Sequence, residues 1–145
     1  MFKGILLATD GSAASDHAAS VAVGLARTHG AKLTALYAVD PYPYVGLGEV
    51  NPMGFQAYMS AAQEHAATAH SRIAALCSDG APVQLEVKLV EDVSAAAGIV
   101  QAAQAEGADL IVVGSHGRTG IARLMLGSVA AKVVAESPVP VLVVR

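Results

Sequence analysis

Apolar positions recur along this chain with two different periods. Residues 4–9 (GILLAT) form an unbroken apolar run closed by Asp10-Gly11-Ser12, which predicts a strand buried on both faces. Over about 14–29 the period lengthens. Ala18, Val21, Ala22 and Leu25 fall at i, i+3, i+4 and i+7, predicting a helix with one apolar face that Gly30 stops. Residues 32–39 (KLTALYAV) read as a second strand, and 40–54, opened by Asp40 and closed by Gly54 with three prolines inside, as a loop. A long helix over about 55–78 places Ala62, Ala66, Ala69, Ile73 and Leu76 on one stripe and breaks at Asp79-Gly80. Residues 83–89 (VQLEVKL) differ from the other strands. There Val83, Leu85, Val87 and Leu89 alternate with Gln84, Glu86 and Lys88, which predicts one wet face and a place at a sheet edge. A helix over about 93–106 presents Ala96, Ile99, Val100 and Ala103, and Gly107 closes it. Residues 109–114 (DLIVVG) read as another doubly buried strand. A glycine-rich stretch leads to a helix over 128–136 with Leu126, Val129, Ala130 and Val133 on its face, Pro138 ends it, and 139–144 (VPVLVV) form a last strand.

Strands alternating with amphipathic helices call for an open parallel sheet with helices on both faces and right-handed crossovers, an α/β architecture. Neither an internal repeat nor a linker interrupts residues 1–145, so one domain is expected. A chain of 145 residues buries about 70% of its unfolded surface without staples. Its residues are 54% hydrophobic and only 14% charged, against about 25% in an ordinary domain, which suggests that a partner or a second copy covers part of the surface. Much of the apolar count is alanine, which tempers that inference. A net charge of −3 without a basic run leaves phosphate-driven nucleic-acid binding nothing to work with. Cys77 is the sole cysteine, fits a reducing compartment and lies in an alanine-rich helix, as a packed core thiol would. The apolar start of the chain is stopped at Asp10, and no run approaches the ~20 residues of a membrane span, so a cytoplasmic, membrane-free protein is expected.

In open parallel sheets ligands bind beyond the carboxyl ends of the strands, where strand order reverses. Two strand ends carry chemistry here: Thr9-Asp10-Gly11-Ser12, and Gly114-Ser115-His116-Gly117-Arg118-Thr119-Gly120 followed by Gly127-Ser128 at a helix start. Gly114 and Gly117 let backbone approach a bulky anion without Cβ interference. Gly127-Ser128-Val129 offers amide N–H groups and a hydroxyl at a helix N-terminus, which favours phosphate. Asp10, itself negative, suits ribose hydroxyls instead. The chain lacks G-x-x-x-x-G-K-[ST], a G-x-G-x-x-G after the first strand, a G-x-S-x-G elbow, and the acidic pair and lysine of a receiver domain.

The remaining signal resembles the universal stress protein family. Gly114-x-x-Gly117, nine intervening residues and Gly127-Ser128 match that family's ATP-binding signature. The likeness extends to Ile5-Leu6-Leu7-Ala8-Thr9-Asp10-Gly11-Ser12, to Asp109-Leu110-Ile111-Val112-Val113-Gly114-Ser115-His116-Gly117, to Leu126-Gly127-Ser128-Val129 and to Pro138-Val139-Pro140-Val141-Leu142-Val143-Val144. The resemblance implies a five-stranded parallel sheet in the order 3-2-1-4-5, Rossmann-like, with the first and fourth strands as central neighbours. It implies ATP, or AMP or ADP, as ligand, with Mg²⁺ or Mn²⁺ accompanying the phosphates. By the same resemblance Ala8, Thr9, Asp10 and Ala38 fall where adenine and ribose bind, Val113, Gly114 and His116 beside base and ribose, and Gly117, Gly127, Ser128 and Val129 at the phosphates. Ala130 departs from the threonine that some nucleotide-binding relatives carry, a hydrogen bond worth about 1 kcal/mol.

Each of these residues also has a plainer reading. Asp10-Gly11-Ser12 and Ser128 serve equally as turn and helix caps, which use the same amide groups as a bound anion. His116 is a general base or a solvated loop residue. Arg118 and Arg123 reach phosphate or face water. His17, His29, His65 and His70 read as surface residues, and Tyr42, Tyr44, Met53 and Phe55 as a cover over the ligand or as packing. With no hydrolytic base or arginine finger in view, the expectation is an ATP-binding stress-response or signalling protein with at most slow hydrolysis. The rivals are a dimeric interaction module with a vestigial pocket and a true ATPase or phosphotransferase. The strand at 139–144 is apolar on both faces and sits at an edge, so pairing with its copy in a homodimer is expected. Valine at Gly117 or Gly127 is expected to abolish binding with the fold intact.

Overall fold

β1 (Gly4–Thr9), α1 (Ala13–His29), β2 (Lys32–Ala38), α2 (Pro52–Ser78), β3 (Leu85–Val90), α3 (Ala95–Glu106), β4 (Leu110–Gly114), α4 (Ser128–Glu136) and β5 (Val141–Val144) follow one another along the chain. They are seen in a computed structural model that describes residues 1–39, 52–91, 93–116 and 125–145. The strands form one sheet in the order β3-β2-β1-β4-β5, and every neighbouring pair is parallel. Leu7 stands opposite Ala35 on one side and Val112 on the other, so β1 is the centre of the sheet.

Alternation along the central strands feeds two cores. Ile5 and Leu7 point to one face, where they meet Leu33, Val112, α1 and the Ile73–Cys77 end of α2. Leu6, Leu36, Ile111 and Val113 point to the other, under Ile99 of α3 and Val133 of α4. Leu6, Leu7, Leu33 and Leu36 are wholly buried, and each such side chain removed from water contributes roughly 1.5–3 kcal/mol. A smaller cluster joins Tyr37 and Val39 to Ala66 and Ala69 of α2.

The buried stripe of α1 is rotated from the predicted one. Ser15, Ala18, Ala19, Ala22, Val23 and Ala26 are buried, while Val21 and Leu25 pack at the flank. Alanine under the helix axis lets α1 approach the sheet closely, and the bulkier pair covers the edge of that contact. On α4 only Ala130 and Val133 are buried; Leu126 and Val129 are 44% and 39% exposed, because both lie before or at the first turn, beyond the edge of the core.

Several boundaries shift for local reasons. α2 starts at Pro52, whose fixed φ suits a first helical turn. β3 begins at Leu85 because the Val83 amide still bonds to the Cys77 carbonyl oxygen. β5 begins at Val141, after two prolines. Serine caps open α1 and α3: Ser12 Oγ accepts the Ser15 amide and Ser94 Oγ accepts the Ala97 amide.

Charged groups finish the ends and edges. Asp109 accepts the amides of Lys3 and Gly4 at 3.0–3.2 Å, tying the start of β4 to the start of β1. Those amides hold its carboxyl below the usual aspartate pKa, against an opposing desolvation effect that is the largest single contribution. Lys32, Glu86, Lys88 and Glu106 form an alternating ion network over the edge strand β3. Partnered charges of this kind blunt an exposed edge. Arg27 of α1 donates to the carbonyl oxygens of Leu76, Asp79 and Ala81, capping the C-terminal end of α2. Among the described residues no helix is long and apolar enough to cross a membrane.

Candidate functional site

The turn from β1 into α1 is built from its own hydrogen bonds. Gly11 adopts φ 77°, a left-handed conformation open to glycine at little cost. Its amide donates to Thr9 Oγ1 at 3.1 Å, and Thr9 Oγ1 donates in turn to Ser15 Oγ at 3.1 Å. Asp10 Oδ1 accepts the Ser12 amide at 2.9 Å, an Asx turn that orients the carboxylate. The hydroxyl of Ser15 also reaches the Ser12 carbonyl oxygen at 2.9 Å, so Thr9 and Ser15 are buried with their polar atoms engaged.

Across the cleft, β4 ends at Gly114 and the chain continues into Ser115 and His116. The Ser115 amide donates to the Val144 carbonyl oxygen at 2.8 Å, and the Ser115 hydroxyl lies 2.9 Å from His116 Nδ1. Gly127 then passes close by: its amide donates to the Ser115 carbonyl oxygen at 2.7 Å. Gly127 is the N-cap of α4, and unlike α1 and α3 this helix receives no side-chain cap. The first-turn amides of a helix left in that state are ready for an external acceptor.

These pieces meet on one cleft of about 320 Å³. Ala8, Thr9, Asp10 and Ser15 come to it from β1 and α1, and Ala38 from the end of β2. Val113, Gly114, Ser115 and His116 come from the end of β4, and Gly127, Ser128, Val129 and Ala130 from the start of α4. Ala95 and Ile99 of α3 complete the lining. Small apolar side chains (Ala8, Ala38, Ala95) leave room for a flat ring, and the helix start and hydroxyls offer donors to an anion. The volume falls within the usual range of small-molecule sites, roughly 300–1,000 Å³.

Every sequence-predicted site residue within the described residues thus lines the same cleft: Ala8, Thr9, Asp10, Ala38, Val113, Gly114, His116, Gly127, Ser128 and Val129. Gly117, Arg118, Arg123, Tyr42 and Tyr44 lie outside the described residues. Met53 is exposed and Phe55 half-buried in the first turns of α2. Sequence reasoning missed Ser15, Ser115, Ala95 and Ile99. Ser15 and Ser115 sat beside residues that had been singled out, whereas Ile99 carried only a core signal and Ala95 none. A larger open groove of about 470 Å³ lies beside Lys88, Gly98, Gln101 and Glu106, away from every strand end. Val90 and Val93 pack against Gly98 there, and the ion network borders it.

The histidines do not all behave as surface residues. His17 and His65 are exposed, and His29 sits edge-on to Phe2. His70 is half-buried under α2 with Nε2 shut away from solvent. Burial pulls its imidazole below the ordinary pKa, with a backbone hydrogen bond at Ala35 partly opposing. Cys77 is the core thiol expected; burial pushes its pKa up, and Arg27 partly offsets that. Among the described residues no three metal-ligating side chains gather.

An open parallel sheet, helices on both faces, and a cleft where chains leave β1 and β4 in opposite directions define a doubly wound, Rossmann-like α/β protein with its ligand cleft at the topological switch point. The chain belongs to the universal stress protein family, whose sequence profile it matches over residues 1–145. It is 42% identical to a universal stress protein of Thermus aquaticus over the full length of both chains. Among solved structures it is similar to the universal stress protein UspA from Lactobacillus plantarum, with TM-score 0.80, 29% identity, and 99% and 97% of the two chains covered. It is also similar to a universal stress protein crystallised in complex with cAMP, with TM-score 0.67, 28% identity, and 99% and 97% covered.

Proposed function

We propose that this chain acts as one adenine-nucleotide-binding domain of a stress-response or signalling protein, with ATP as the preferred ligand and AMP or ADP as lesser ones. The observation that carries the reading is the pairing, across one cleft, of the Asp10 carboxylate with the uncapped start of α4. A carboxylate accepts hydrogen bonds from ribose hydroxyls, and a helix N-terminus accepts phosphate; a nucleotide presents both at that separation of chemistry. Ala8, Ala38, Ala95 and Val113 supply the apolar surface that a purine ring stacks on. The solved relative in complex with cAMP supports an adenine nucleotide over other anions.

A divalent cation, Mg²⁺ or Mn²⁺, would enter bound to the phosphates, since the described residues gather no carboxylate cluster of their own. Asp10, the only carboxylate lining the cleft among the described residues, has one oxygen engaged by the Ser12 amide. Hydrolysis is at most slow. Homodimerisation through β5 completes the reading, because that edge strand presents Leu142 to solvent, and the protein works in the cytoplasm.

Isothermal titration of the purified protein with ATP, AMP and cAMP tests the binding. Saturable heat with ATP is expected. No heat at millimolar nucleotide would end the reading.

A further inference from the structure

We propose that Arg72, on α2 and outside the cleft, is a positioning residue: it fixes the peptide group whose N–H is bound by Asp10 Oδ1. The inference rests on the nucleotide reading above. Arg72 Nη2 donates to the Gly11 carbonyl oxygen at 3.0 Å, and Nη1 lies 3.2 Å from Asp16 Oδ2. The Gly11 carbonyl and the Ser12 amide belong to the same planar unit. Arg72 therefore grips the carbonyl end of that unit while Asp10 Oδ1 holds its N–H end at 2.9 Å.

The grip matters because glycine tolerates either orientation of the following peptide. Gly11 at φ 77° offers no steric bar to a flip, and a flip would turn the Ser12 N–H away from Asp10 and remove that hold on the carboxylate. The guanidinium, a rigid fork with donors in fixed directions, selects one orientation. Its own position is set by seating against the turn, since the nearest atoms to a Cβ built on Gly11 belong to Ala69, Arg72 and Tyr37, all at 3.8 Å, while the second donor meets Asp16 in an exposed ion pair that adds little. In this way α2, which contributes no lining residue, shapes the acidic side of the cleft.

The alternative role is a plain tether between α2 and α1 through Asp16, and three single variants with one double-mutant comparison separate the two roles. Arg72→Met is expected to weaken ATP binding about tenfold by calorimetry and to raise amide hydrogen exchange at Ser12 in the ligand-free protein. Asp16→Asn, which removes the ion pair and keeps the Gly11 bond, is expected to leave affinity within about twofold of wild type. Arg72→Lys keeps one donor for the Gly11 oxygen and is expected to recover most of the lost affinity, including where Arg72→Met proves too unstable to titrate. In an Asp10→Ala background, with no carboxylate left to orient, Arg72→Met is expected to cost nothing further. Wild-type affinity in Arg72→Met, or equal losses in Arg72→Met and Asp16→Asn, would overturn the positioning role while leaving the nucleotide reading in place. Failure of the wild-type protein to bind ATP overturns both.

Discussion

Gly127 and Ser115 meet backbone to backbone at the mouth of the cleft. The Gly127 amide lies 2.7 Å from the Ser115 carbonyl oxygen, and a Cβ on Gly127 would stand 2.9 Å from that same oxygen. Real side chains do not occupy such a position. The glycine that reads in sequence as an approach point for phosphate is first a packing requirement between β4 and α4. Gly114, by contrast, would receive a Cβ at ordinary distances of 3.5 Å from the Ala14 and His116 carbonyl oxygens.

Gly127→Ala is consequently expected to lower both stability, by about 1–3 kcal/mol, and nucleotide affinity. Valine at this position is not the clean binding probe that sequence alone suggests, since it shifts the Ser115–His116 backbone as well. Gly114→Ala is expected to leave thermal stability nearly unchanged. Denaturation curves of the two alanine variants, beside ATP titrations, check the contrast; equal stability losses would contradict it.

Asp10→Asn isolates the charge. The asparagine carbonyl still accepts the Ser12 amide, so the turn and the fold are kept. A hydrogen bond to a charged acceptor is worth about 1.5–3 kcal/mol, and ATP affinity is expected to fall about 10- to 100-fold. Unchanged affinity by calorimetry would remove Asp10 from the site.

The candidate site was legible where its chemistry is local. Asp10-Gly11-Ser12 announces a turn that carries an acid, and β1 and β4 pair as the family resemblance implies, which brings that turn beside the end of β4. The alternation of Leu85, Glu86, Val87 and Lys88 located the edge strand correctly. Contributions fixed by tertiary packing were not legible. Ile99 lines the cleft because α3, packed on the face of Leu6, Leu36 and Val113, begins beside the strand ends, and Arg72 finds its carbonyl partner 61 residues away. His70 read as a surface residue because the stripe through Ala66, Ala69 and Ile73 is wide enough to draw its neighbour half under the helix.

His70 gives stability a pH dependence of definite sign. Its folded-state pKa lies below the unfolded value near 6.5, so the fold favours the neutral ring. Above pH 6.5 both states are neutral and nothing is lost. As pH falls below 6.5 the unfolded chain takes up the proton first, and stability declines until the folded pKa is also passed. His70→Phe is expected to flatten urea-unfolding free energies as pH falls below about 6.5. An unaltered slope would exclude His70 as its source.

Arg27 and Arg72 hold the C-terminal half of α2 to different parts of the fold, Arg27 by capping its end and Arg72 by reaching the Gly11 carbonyl oxygen, and should separate in their effects. Arg27→Met removes donors from the carbonyl oxygens of Leu76, Asp79 and Ala81, at 2.8–3.0 Å, and is expected to cost about 1–3 kcal/mol of stability. That helix end leads into the start of β3, away from the strand ends that line the cleft, so ATP affinity is expected to stay within about twofold of wild type. Chemical denaturation paired with calorimetry reads both quantities on one preparation.

Homodimerisation places the last demand on β5. A four-residue edge strand has backbone groups on its outer side that only another strand or water can pair, and Leu142 is 36% exposed on it. In a dimer joined along β5, the strand continues the sheet into a second copy and Leu142 is covered. Light scattering at micromolar concentration is then expected to report twice the 14.6 kDa chain mass. Leu142→Lys adds a charge at the seam and is expected to weaken association at least about tenfold while the monomer fold survives, because the side chain already touches water in the single chain. A monomeric wild-type protein, or a dimer indifferent to Leu142→Lys, would move the contact elsewhere or remove it, and the low charge content of the surface would then need a different partner.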